Sequence, residues 1–170
     1  MAVAVGTALA VIPPAKAQQA GGAANSPDVP QIMPFATPYG APITLAQARA
    51  AIDATTGEAS RRFWLMNVAV VDSGGNLVAF SRMDGAQLGG IVVAEHKARA
   101  AALFRRPTKA FEEAVQKGGP ATLSLDGAIA SAGGIPLIED GKLIGAIGCS
   151  GGTGAQDETV CAVGAATTGK

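Results

Sequence analysis

Ala146-Ile-Gly-Cys-Ser-Gly-Gly-Thr-Gly-Ala-Gln-Asp-Glu158 is the stretch on which the fold turns. An apolar strand, Leu143 to Ile147, runs into a glycine-rich loop and then into a helix start that carries Asp157 and Glu158. Glycines let the backbone of such a loop approach a neighbour closely. The stretch matches neither G-x-G-x-x-G nor G-x-x-x-x-G-K-[ST]. Asp157 and Glu158 also occupy the positive end of the helix dipole, where a phosphate would have to sit. They are read as caps, and the whole as a tight strand-to-helix turn. Gly148-Cys-Ser-Gly-Gly152 has the letters of G-x-S-x-G but no evident base nearby, which argues against a serine hydrolase.

Working outward, Ile135 to Glu139 and Leu143 to Ile147 flank Asp140-Gly141, a strong hairpin signal. A second hairpin joins Asn67–Val71 to Leu77–Arg82 through Asp72-Ser-Gly-Gly-Asn76, so these strands are antiparallel. Thr44 and Gln47 form a capping box for a first helix that runs to about Arg62. Ile91 to Phe104 is a second, alanine-rich helix, and Pro107 stops it. Thr108 is expected to N-cap a short third helix with Phe111, Ala114 and Val115 on its inner face. Leu123 to Ile129 reads as turn or short strand, and Gln156 to Ala166 as the closing helix. This order gives an α+β fold with helices covering an antiparallel sheet.

The 170 residues fit one domain with a tail. Hydrophobic content of 48% supports a core, and 4% aromatic content makes that core thin and close-packed. The formal charge is zero, without a basic stripe or interleaved aromatics, so no nucleic-acid partner is expected. Ala2 to Ile12 is an apolar run followed by Pro13-Pro14 and Ala15-Lys16-Ala17, a small-x-small cleavage pattern. Residues 1–17 are therefore expected to be a signal peptide, although no Lys or Arg precedes the run. The run is shorter than the roughly 20 residues that cross a bilayer, so no transmembrane segment is expected. Residues 18–42, punctuated by prolines, read as an arm or linker whose apolar points are Ile32, Met33, Phe35 and Tyr39. The domain proper is expected at 43–170, in the periplasm or outside the cell. A bridge between Cys149 and Cys161 is geometrically possible, but buried free thiols are the expectation. C-x-x-C-H is absent, which excludes covalent c-type haem.

Five motifs occur in order: Val70-Val-Asp-Ser-Gly-Gly-Asn-Leu-Val-Ala-Phe80, Ala94-Glu-His-Lys-Ala-Arg-Ala-Ala-Ala-Leu-Phe104, Arg106-Pro-Thr-Lys-Ala-Phe111, Gly133-Gly-Ile-Pro-Leu-Ile138 and Gly141-Lys-Leu-Ile-Gly-Ala-Ile-Gly148. Together they resemble the GlcG/HbpS-like haem-binding family over about Ile43 to Ala166. The C-terminal domain of some cobalamin adenosyltransferases is similar. The resemblance implies a profilin-like antiparallel sheet flanked by helices on both faces, and a non-covalent haem or other tetrapyrrole ligand.

His96 is the only histidine. It reads either as a surface or interface residue, or as an axial ligand to haem iron or a general base. Lys97, Arg99, Arg105 and Arg106 read either as partners of the helix dipole or as partners of ligand carboxylates such as haem propionates. Lys97 is the preferred one, because the resemblance places a lysine there. Thr108 is a local N-cap, to which the resemblance adds a role as hard-oxygen ligand near the iron. The aspartates fit turns and caps, and no carboxylates have calcium-loop spacing. Three functions follow: an exported haem-binding protein; a small enzyme or accessory protein acting on a small organic acid such as glycolate; and a structural oligomer without ligand. Ala98, Ala100, Ala101 and Ala102 offer small side chains for a homo-oligomer contact.

Overall fold

The structure, a computed structural model, describes residues 32–169, and Pro34–Lys170 forms one compact unit. The expected signal peptide and most of the expected arm lie outside the described residues. The elements follow in chain order. Helix α1 spans Leu45–Arg61, strands β1 and β2 span Asn67–Asp72 and Leu77–Arg82, and helix α2 spans Gly90–Phe104. Helix α3 spans Lys109–Gln116, strands β3 and β4 span Gly134–Glu139 and Lys142–Ser150, and helix α4 spans Gly154–Ala165. The strands form one antiparallel sheet in the order β2-β1-β4-β3. Helix α2 crosses one face, and α1 and α4 pack on the other.

The local signals act as read. The Thr44 hydroxyl accepts from Gln47 N, and the Gln47 side chain returns to the Thr44 backbone, completing the box. Asp140 and Gly141 take φ of 49° and 71°, the doubly left-handed geometry of a tight hairpin. The Asp72 carboxylate accepts from Gly74 N and Asn76 N and so folds the first hairpin turn. The ambiguous Leu123–Ile129 segment holds only the end of a 3-10 turn at Pro120–Ser124.

Alanines and glycines set the distance between α2 and the sheet. A Cβ on Gly148 would lie 2.1 Å from Ala94 O and 2.5 Å from Ala98 N. The helix therefore rests directly on strand backbone. Ala98, Ala100, Ala101 and Ala102 are fully buried in this chain's own core. The expected oligomer contact through these four alanines is corrected: all four are covered within the chain, Ala98, Ala101 and Ala102 of them against the sheet.

Strand β4 runs past Ile147 because Gly148, Cys149 and Ser150 continue to pair with Ala69, Val68 and Asn67. This extension aims Cys149 at α4, where it is bonded to Cys161 across a Cα separation of 5.8 Å. The expectation of free thiols is thus corrected, and both sulfurs are buried. Part of the proline-rich arm also belongs to the body. β1 stops pairing with β4 at Asp72–Gly145, and Pro38 to Gly40 take the vacated place beside Leu143. Leu143 N donates to Pro38 O at 2.8 Å, and Gly40 N to Leu143 O at 2.7 Å.

Candidate functional site

Helix α2 carries most of the candidate residues, and its geometry sorts them. Positions 94, 97, 98 and 101 lie on one face, which is pressed onto the sheet. Lys97 falls in that stripe and is 1% exposed. Its Nζ donates to Asp157 Oδ2 at 2.7 Å and to Cys149 O at 3.1 Å. Asp157 Oδ1 in turn accepts from Gly151 N and Gly152 N, both at 3.0 Å. The pair thus ties α2 to the glycine-rich loop through the core. The expectation that Asp157 caps α4 is corrected. Thr153 does so, with Gln156 closing a capping box.

Thr108 is also internal. It has helical φ and ψ and makes no side-chain cap bond, which corrects the expected N-cap. Its hydroxyl accepts from Gly134 N at 2.9 Å, while Thr108 N donates to Gly134 O at 2.9 Å. Gly134 fits between Thr108 and the Lys97 backbone, where a Cβ would meet Lys97 O at 2.3 Å. Lys97 and Thr108 are therefore brought together, but inside the protein rather than at a cleft.

Two further carboxylates extend this arrangement. Ala132 N donates to Glu112 Oε2 at 2.7 Å, and Gly133 N to Glu158 Oε2 at 2.9 Å. Three successive backbone N–H groups, Ala132 to Gly134, are each met by a side-chain oxygen. Lys109, Glu112, Glu158 and Thr159 line a cavity of about 250 Å³ at this point. Burial pushes the Glu158 carboxyl above its ordinary value, opposed by the Gly133 hydrogen bond and by the charges of Lys109 and Lys97.

The outward face of α2 is different. Val92, His96, Arg99 and Leu103 recur at helical spacing on the side away from the sheet. Val92 and Leu103 are exposed, and His96 is half-buried. His96 Nε2 lies 3.3 Å from Gly127 O, and Arg99 Nε donates to Gly75 O at 3.2 Å. At the C-terminal end, Arg105 takes φ 52° and splits two adjacent cations apart. Arg105 reaches Thr37 O and the Tyr39 ring; Arg106 stacks 3.7 Å from the Phe35 centroid and 5.1 Å from that of Phe111. Burial and the neighbouring Arg105 lower the Arg106 pKa. None of His96, Arg99, Arg105 and Arg106 forms an ion pair among the described residues.

The family model described as "Haem degrading protein HbpS-like" matches residues 43–166. The chain belongs to this HbpS-like family. Protein GlcG of Escherichia coli (strain K12) is 43% identical over 103 residues, covering 61% of this chain and 77% of that protein. A crystal structure of HbpS aligns with a TM-score of 0.70 at 29% identity, covering 88% of this chain and 100% of the other. A crystal structure of a PduOC:heme complex aligns with a TM-score of 0.67 at 26% identity, covering 76% and 99%.

In this HbpS-like chain the six candidate residues thus fall into two groups. Lys97 and Thr108 are internal; His96 and Arg99 reach the surface along α2, and Arg105 and Arg106 just past its end. Sequence reading missed Glu112, Glu158 and the inward role of Asp157. The Thr153-x-x-Gln156 box was a usable signal, since it already caps α4 and leaves Asp157 free for another role.

Proposed function

We propose that this chain is exported and binds haem non-covalently on the outward face of α2. The observation that carries the reading is the row Val92, His96, Arg99 and Leu103, which offers an imidazole and a cation between two exposed apolar side chains. A porphyrin has the matching pattern: an apolar disc, a central metal and an anionic edge. His96 is the iron-side group, because its imidazole is accessible and its contact with Gly127 O is long. Thr108 is disfavoured for that role, since its hydroxyl is buried and holds Gly134 N. Arg99 serves the propionate edge, with Arg105 and Arg106 just past the end of the helix. Lys97 stays with Asp157. The family description and the haem complex of a relative support the ligand class. A buried disulfide supports an oxidising compartment.

Hemin titration of the purified chain tests the reading. A saturable Soret shift is expected, lost in His96→Ala and weakened in a salt-dependent way in Arg99→Ala. The absence of a shift beyond that of a non-binding control protein would sink it. An unchanged iron spectrum in His96→Ala would remove the histidine assignment.

A further inference from the structure

The cavity of about 250 Å³ between α3 and α4 is lined by Lys109, Glu112, Ala132, Ala155, Glu158 and Thr159, and the haem reading uses none of them. Both glutamates are half-buried, and each commits one oxygen to the backbone. Glu112 Oε2 accepts from Ala132 N, and Glu158 Oε2 from Gly133 N. Those two N–H groups are consecutive, so the carboxylates are held side by side. Glu112 Oε1 takes only a 3.3 Å contact from Gln116 Nε2. None of Lys109, Glu112 and Glu158 forms an ion pair among the described residues. Lys109 is exposed, so water and salt screen its charge more than those of the two glutamates. The interior of the cavity is therefore negative.

That charge sorts the occupants. An anion would face two carboxylates. It would also find the first turn of α4 taken, because a Cβ on Gly154 would lie 3.1 Å from Glu112 Oε2. A calcium ion takes about six to eight oxygen ligands. Among the described residues no third carboxylate, cysteine or histidine joins these two. An ammonium group needs only acceptors, and Ala132 and Ala155 offer methyl groups to a short alkyl stem.

We propose that this cavity binds a small primary amine in its ammonium form, held between Glu112 and Glu158. Two ligands share that chemistry: a plain alkylamine, and a zwitterion whose carboxylate meets Lys109. The inference is independent of the haem reading, since no lining residue belongs to α2. Burial raises the Glu158 pKa; the Gly133 N–H, Lys109 and Lys97 oppose the rise, and Glu112 adds to it. Asp157, its neighbour on α4, is already paired with Lys97. A bound ammonium favours the ionised carboxyl, so affinity should rise with pH through the window above 4.5.

Amide shifts of Ala132 and Gly133 in the nitrogen-labelled full chain test the site. The probes are n-propylamine, β-alanine and propionate, titrated at constant ionic strength. Saturable shifts at both amides are expected with at least one of the two amines, tighter at neutral than at acid pH, and none with propionate. Glu112→Gln and Glu158→Gln should each weaken amine binding by roughly tenfold, because a charge-assisted hydrogen bond becomes a neutral one. Both variants keep an oxygen for the N–H they hold, and unchanged shifts elsewhere would verify the fold. Lys109→Met identifies the source: a loss confined to β-alanine marks the zwitterion, and no loss with either amine marks the plain alkylamine. Saturation by propionate alone, no saturable shift with either amine, or affinities unmoved in both glutamine variants would overturn the proposal.

Discussion

Replacing Lys97 with methionine is expected to destabilise the fold severely while leaving the outward face of α2 intact. Methionine keeps an unbranched stem of similar length, so packing against the sheet is largely preserved. What is lost is the ammonium 2.7 Å from Asp157, in a place where the two side chains are 1% and 3% exposed. The orphaned carboxylate would retain only the Gly151 and Gly152 N–H donors. Removing one member of a buried pair costs about 3–5 kcal/mol, a large part of the 5–15 kcal/mol that typically holds a domain together. Asp157→Asn should cost a similar amount, because it strands the Lys97 ammonium against Cys149 O alone. K97M/D157N should be less damaged than the sum of the singles by at least about 2 kcal/mol, because no uncompensated charge remains. Urea unfolding followed by circular dichroism measures all four proteins. Single losses below about 1 kcal/mol, or additivity within about 0.5 kcal/mol, would refute the reasoning.

Two other outcomes follow from the geometry. Gly148→Ala should destabilise by several kcal/mol in the same assay, because its Cβ would meet Ala94 O at 2.1 Å and α2 would have to lift off the sheet. Glu158→Gln should be more stable than the parent at neutral pH, provided the amide oxygen still accepts from Gly133 N. The folded carboxyl is raised above 4.5, so the folded state holds its proton longer, and wild-type stability falls as pH rises through the window above 4.5. The advantage should vanish below that window; unfolding curves at acid and neutral pH that keep a constant difference would contradict this.

Much of the fold was legible because its signals are local. Thr44 with Gln47, Asp72 to Asn76, Asp140-Gly141 and Pro107 each act within a few residues, and helical or alternating periodicity supplied the rest. The site was less legible because its decisive contacts are distant in sequence. Nothing near Lys97 announces Asp157, and the alanines around it suit an open groove as well as a buried stripe. Thr108 looked like a cap because its true partner, Gly134, belongs to β3, 26 residues further on. The cysteine pairing depended on β4 continuing through Gly148, where a glycine argues for a strand end. Candidates on the outward side of α2 kept their accessibility because helical spacing alone places them there.

The order of strands in space has a consequence for synthesis. β1 and β4 lie side by side at the centre of the sheet, yet Asn67 pairs with Ser150, near the far end of the chain. A ribosome that has released β1, β2 and α2 has therefore made a half-sheet whose inner edge has no neighbour. That edge, Val68 to Val71, is wholly apolar and stays open until the final portion emerges. Long-range pairing of this kind is slow and leaves the nascent chain exposed to aggregation.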